Sequence, residues 1–139
     1  MKRTIALLLW AATACSTAQA TSEVDAARQS LKNYGLAHCL ADRFPEPSAM
    51  RQDVGRAVGM YGVLGAGLYN VLQNEDTLQT LHNPYAATND YVTAAYEQAS
   101  GSSKYSRSKV VTHACLEVYN SRAFDAFIQT QDRYIRPDG

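Results

Sequence analysis

The stretch GRAVGMYGVLGAGLY, residues 55–69, holds five glycines. It reads either as a phosphate-cradling loop or as a helix with one bare face. The loop reading fails on spacing. No lysine follows at the position a P-loop requires, and no third glycine completes Gly65-x-Gly67. The helical reading has a period to support it. Met50, Val54, Ala57, Val58, Tyr61, Leu64, Leu68, Val71 and Leu72 recur at three- and four-residue steps. Gly55, Gly59 and Gly62 fall at the same steps, on a stripe nearly opposite the apolar one. An interior glycine costs a helix about 1 kcal/mol against alanine. The stripe therefore predicts close approach of another backbone, either a second helix of the fold or a dimer mate. A break at Gly65–Gly67 is the alternative end for this helix.

Upstream, SEVDAARQSLKNYGLAHCLAD (22–42) predicts a helix capped by Ser22, with Val24, Ala27, Leu31 and Tyr34 on one face. FPEP (44–47) stops it, because each proline disfavours helical geometry in the residue before it. Downstream, a short helix is expected over 75–82. Asn83-Pro84 then reads as an N-cap and first helical residue. Thr88, Tyr91, Val92, Ala95, Tyr96 and Ala99 form one face of that helix, about 84–99. SGSSKYSR (100–107) is a polar loop. Val110, Val111, Ala114, Cys115 and Val118 mark a helix over about 108–119. A last helix, capped at Asn120 or Ser121, carries Phe124, Phe127, Ile128, Gln131 and Ile135. No segment alternates at period two. The fold class is all-α, a bundle of about five or six helices in one domain of 139 residues.

The N-terminus, MKRTIALLLWAATACSTAQA, has a basic head, a short apolar run and a small-x-small site at Ala18-Gln19-Ala20. It reads as a signal peptide over 1–20, leaving a mature domain over 21–139. A second cleavage is open: Ala12-Thr13-Ala14-Cys15 is an acceptable lipobox, which would leave a lipid anchor on Cys15. The Ala-Gln-Ala site is preferred because the lipobox lacks its usual leucine. Loss of Lys2 and Arg3 leaves 11 basic and 13 acidic residues, a net charge of −2. There is no basic patch for nucleic acid and no later run long enough to span a membrane.

Both cleavages leave Cys39 and Cys115, and in an exported protein such a pair reads as one disulfide. A zinc site built from His38, Cys39, His113 and Cys115 is disfavoured. Neighbouring helical positions point about 100° apart, and positions two apart about 200°. A cysteine nucleophile would need an unpaired thiol, leaving a small hydrolase with reduced Cys39 and His113 as an alternative. No Gly-x-Ser-x-Gly elbow or cofactor motif stands out, and the one adjacent carboxylate pair, Glu75-Asp76, reads as a solvated helix start. The residues thus favour an exported, disulfide-pinned binding protein without a catalytic site. A periplasmic helical chaperone also fits that description.

The stretch ACLEVYNSRAFDAFIQTQDRYI (114–135) carries a more specific pattern. With the tyrosine-bearing helix that ends in Cys39 and the Gly/Ala helix that bears Tyr61, it resembles the amidase immunity proteins of bacterial type VI secretion systems. Their last two helices hold a Cys-Leu-x-x-Tyr-x-Ser-x-x-φ-x-x-φ run, where φ is apolar. It is matched here by Cys115, Leu116, Tyr119, Ser121, Phe124 and Phe127. The resemblance implies a periplasmic all-α protein, often a homodimer, with no cofactor and no catalysis of its own. It implies binding to a secreted peptidoglycan amidase and blockade of that enzyme's Cys/His site. By position it also implies an effector-binding loop at Gly101, Ser102, Ser103, Lys104, Tyr105 and Ser106.

Overall fold

In the computed structural model, residues 14–105 and 107–136 are described. Helix α1 (Ala14–Ala41) is the long central element, and α2 (Ala49–Tyr61), α3 (Pro84–Gln98), α4 (Val111–Tyr119) and α5 (Arg122–Gln129) pack around it. A two-stranded antiparallel hairpin, β1 (Leu72–Gln73) and β2 (Thr80–His82), lies between α2 and α3. A single 3-10 turn, Asp132–Tyr134, follows α5. The fold is predominantly helical, as the periodicity predicts. The apolar run of the expected signal peptide lies outside the described residues. Helix α1 nevertheless starts earlier than expected, so Ser22 is interior to it and not at its start. Ala14, Ala18 and Ala20 are strong helix formers and extend the helix toward the N-terminus.

Three helix starts follow from side-chain caps. Ser48 accepts from the Arg51 amide, Asn83 from the Tyr85 and Ala86 amides, and Ser121 from the Phe124 amide. The core collects Leu31 of α1, Tyr85 and Val92 of α3, Cys115 of α4, and Phe124 and Ile128 of α5. Gly35 makes this possible. A Cβ there would stand 2.9 Å from Phe124 Cζ and 3.0 Å from Thr88 Cγ2. Such distances are too short for contact, so α1 sits against α3 and α5 only because the position is bare.

Two polar joints tie α1 to the C-terminal end. Arg28 grips Asp132 through Nε (3.0 Å) and Nη2 (2.5 Å). Lys32 reaches Asp125 at 2.6 Å, with its ammonium 4.6 Å from the Tyr119 ring centre. The hydrogen bond to Asp132, reinforced by its charge, raises the Arg28 pKa further.

Three expectations need correction. The helix over 75–82 is absent, and a hairpin stands there instead. The Asn74 side chain accepts from the Asp76 and Thr77 amides, at 3.0 and 2.8 Å, and closes a turn that carries Leu78 at φ 57°. An asparagine ahead of acidic residues can start a helix or a turn, and here it makes the turn. Helix α2 stops at Tyr61, before Gly65–Gly67. Gly62 turns extended, and the Ala66 amide bonds back to the Met60 carbonyl at 2.7 Å. Finally, the last helix ends at Gln129. Ile135 is extended and pairs with Tyr69, the Asn70 amide donating to the Tyr134 carbonyl at 2.8 Å.

Candidate functional site

The polar loop expected after α3 is a short hairpin-like projection. Its base is held by an antiparallel bridge between Ser102 and Lys109. The Val110 amide donates to the Gly101 carbonyl at 2.7 Å, and the Ser103 amide to the Ser108 carbonyl at 2.9 Å. At the tip, Tyr105 is 100 % exposed, its amide donating to Ser103 Oγ at 3.2 Å. Lys104 beside it is also exposed. Ser106 lies outside the described residues. Ser100, at the root, donates to the Glu117 carboxylate at 3.1 Å.

Gly101 has a different role from the one its place in a loop suggests. It is buried and has no positive φ; among the loop's described residues the positive φ belongs to Arg107, at 53°. A Cβ on Gly101 would meet Ala114 Cβ at 3.1 Å and the Ala114 amide nitrogen at 3.3 Å. The glycine therefore seats the loop root on the first turn of α4. One residue further along α4, Cys115 is bonded to Cys39 of α1 (S–S 2.07 Å, Cα–Cα 5.8 Å). The disulfide thus anchors the helix on which the loop stands.

The same bond removes the thiols that a Cys39 or Cys115 nucleophile would need. His113 is exposed beside the loop root, while His38 Nδ1 is buried 3.7 Å from the Asp42 carboxylate. Among the described residues, no group of three or more His, Cys, Asp or Glu side chains converges to hold a metal. No helix among them is long and apolar enough to cross a membrane.

The glycine stripe lies on a second surface. Nothing among the described residues comes within 4 Å of a Cβ placed on Gly55 or Gly59, so neither packs against another described helix. Gly62 alone faces inward, its Cβ position 3.5 Å from the Tyr34 ring. Met60 and Leu64 nearby are 67 % and 100 % exposed. A hollow of about 410 Å³ opens where α1 meets α2, between Ala41, Pro47 and Gly55. Arg51 in its wall is engaged by Glu46 and by the carbonyls of Ala41 and Phe44, so the hollow belongs to the inter-helix joint.

Sequence reasoning missed the contacts that fasten the loop to its surroundings. Lys109 Nζ donates to the Tyr96 and Glu97 carbonyls at the end of α3, at 2.7 and 3.2 Å. It also lies 4.7 Å from the Tyr96 ring centre, and Arg43 lies 4.4 Å from the same centre. No periodicity pairs residues 43, 96 and 109, so no local signal could have found them.

No curated protein and no solved structure matches this chain. The family model Tai4, described as a type VI secretion system amidase immunity protein, matches residues 29–128, from the middle of α1 to near the end of α5. That span covers well over half the chain and includes both disulfide cysteines, the loop and the Cys115–Phe127 run. The chain belongs to the Tai4 family of type VI secretion system amidase immunity proteins.

Proposed function

We propose that this protein binds the cognate secreted peptidoglycan amidase in the periplasm and occludes its active-site cleft. In this reading it works by binding alone, without catalysis or cofactor. The family match over residues 29–128 carries the reading. The loop supports its details. A small polar hairpin with a fully exposed tyrosine and an adjacent lysine suits insertion into a cleft that otherwise takes a peptide stem. Tyr105 would be the buried anchor, Lys104 would meet a carboxylate, and Ser102 and Ser103 would supply hydrogen bonds. The signal peptide over 1–20 would deliver the mature chain to the compartment where the amidase acts, and cleavage after Ala20 would return Ser22 to the start of its helix. The bare face at Gly55 and Gly59, with Met60 and Leu64 exposed beside it, would receive a second copy of the chain.

The test replaces both Lys104 and Tyr105 by alanine and measures binding to the amidase encoded beside this gene. Loss of a tyrosine anchor and its charged neighbour should weaken affinity by at least about tenfold, roughly 1.4 kcal/mol. Because both side chains are exposed, the melting temperature should move by less than about 2 °C. Unaltered affinity and unaltered protection of cells would place the interface on a helix face instead.

A further inference from the structure

We propose that Lys109 is the positioning residue of the loop, the latch that holds the 101–110 hairpin in one orientation before the amidase arrives. This deepens the inhibitory reading above and rests on it. The hairpin's own backbone bonds, Val110 to Gly101 and Ser103 to Ser108, hold its two arms together. They hold the hairpin at the start of α4 but do not tie it to α3. The Lys109 side chain leaves the arm, crosses to the end of α3 and donates to two carbonyls in its last turn. Those carbonyls carry the partial negative charge of a helix C-terminus, which favours a cation. The ammonium also lies 4.7 Å from the centre of the Tyr96 ring, which is buried and so cannot follow a moving loop. Helix α3 is itself steadied there by Arg43, which contacts Tyr96 and reaches Glu97 at 3.4 Å.

The functional consequence is preorganisation. A loop that occupies its binding shape only part of the time binds more weakly by that fraction. Lys109 pairs with Ser102 through the backbone bridge at the loop base, which a side-chain substitution leaves in place, so loss of the ammonium should reach the amidase through loop order.

Lys109→Met keeps the stem and removes the ammonium; Lys109→Arg keeps a cation and its donors. Hydrogen exchange of the Val110 amide reads the hinge directly in the unbound protein, with core amides of α1 and α3 as the internal reference. We expect at least fivefold faster Val110 exchange in Lys109→Met, unchanged core exchange, and association with the neighbouring gene's amidase slowed by a similar factor. Lys109→Arg should stay within about twofold of the native chain on both readouts. Unchanged Val110 exchange in Lys109→Met would overturn the proposal, as would a loosened hinge with unaltered association. If the native protein fails to bind that amidase, the inhibitory reading falls while the exchange comparison still decides whether Lys109 orders the loop.

Discussion

Tyr69 shows at the scale of one residue how burial sets chemistry. Its ring is 1 % exposed, yet its hydroxyl has no hydrogen-bond partner among the described residues. Burial, with the nearby Asp132 charge, pushes its pKa well above the ordinary tyrosine value near 10. Tyr34 is raised the same way, by burial first and then by Tyr85 and Asp42. For both groups the folded pKa exceeds the unfolded one, so the native state binds more protons once pH passes 10. Stability is therefore intact below about pH 10 and falls as pH rises further. Tyr69→Phe removes both the orphan hydroxyl and this titration. We expect the variant to be neutral to about 1 kcal/mol more stable at pH 7, and its alkaline limb to be shallower than the native one. Denaturant melts at pH 7 and pH 11 measure both. A variant that is markedly less stable at pH 7 would mean that the hydroxyl has a partner after all.

Among the α-helices, α2 stands apart because none of its residues is buried. Gly55 lies mid-helix with open space where a Cβ would be. Gly55→Ala should therefore raise stability by about 0.5–1 kcal/mol through helix propensity and lost unfolded-state entropy. A bulky residue at Gly59 separates the monomer from a dimer. Gly59→Leu should leave the melting temperature of the isolated chain almost unchanged. If a second copy covers this face, the same substitution should shift sedimentation toward monomer. A fall of several degrees in a protein that is monomeric throughout would show that something within the chain packs there.

For the whole molecule, the Cys39–Cys115 bond joins the first long helix to the fourth across most of the domain. Closing a loop of about 77 residues is worth about 4.5 kcal/mol in the chain-entropy model. Small domains have only about 5–15 kcal/mol in total. Cys39→Ala with Cys115→Ala should accordingly lower the unfolding free energy by about 2–5 kcal/mol, since engineered losses scatter around the model value. Reducing the native protein should reproduce the loss, and two alkylatable thiols in freshly exported protein would refute the bond. Because α4 carries the loop root, the reduced protein should also bind its amidase more weakly than its residual helicity suggests.

The sequence alone determined the helical class, the cap at Asn83, a last-helix cap at Asn120 or Ser121, and the pairing of two cysteines. Each rests on short-range pattern or on a choice with one partner. It also carried the family pattern from Cys115 to Phe127, because those positions are fixed by one turn and two adjoining helices. Only the tertiary structure decided which glycine serves packing. Gly35, solitary in sequence, lies under Phe124 and Thr88, while Gly55 and Gly59, conspicuous by their spacing, face open space. It likewise decided between turn and helix at Asn74, and it brought Arg43, Tyr96 and Lys109 together at the loop root. Spacing along the chain can place residues on one face of a helix, but what that face meets depends on elements dozens of residues away.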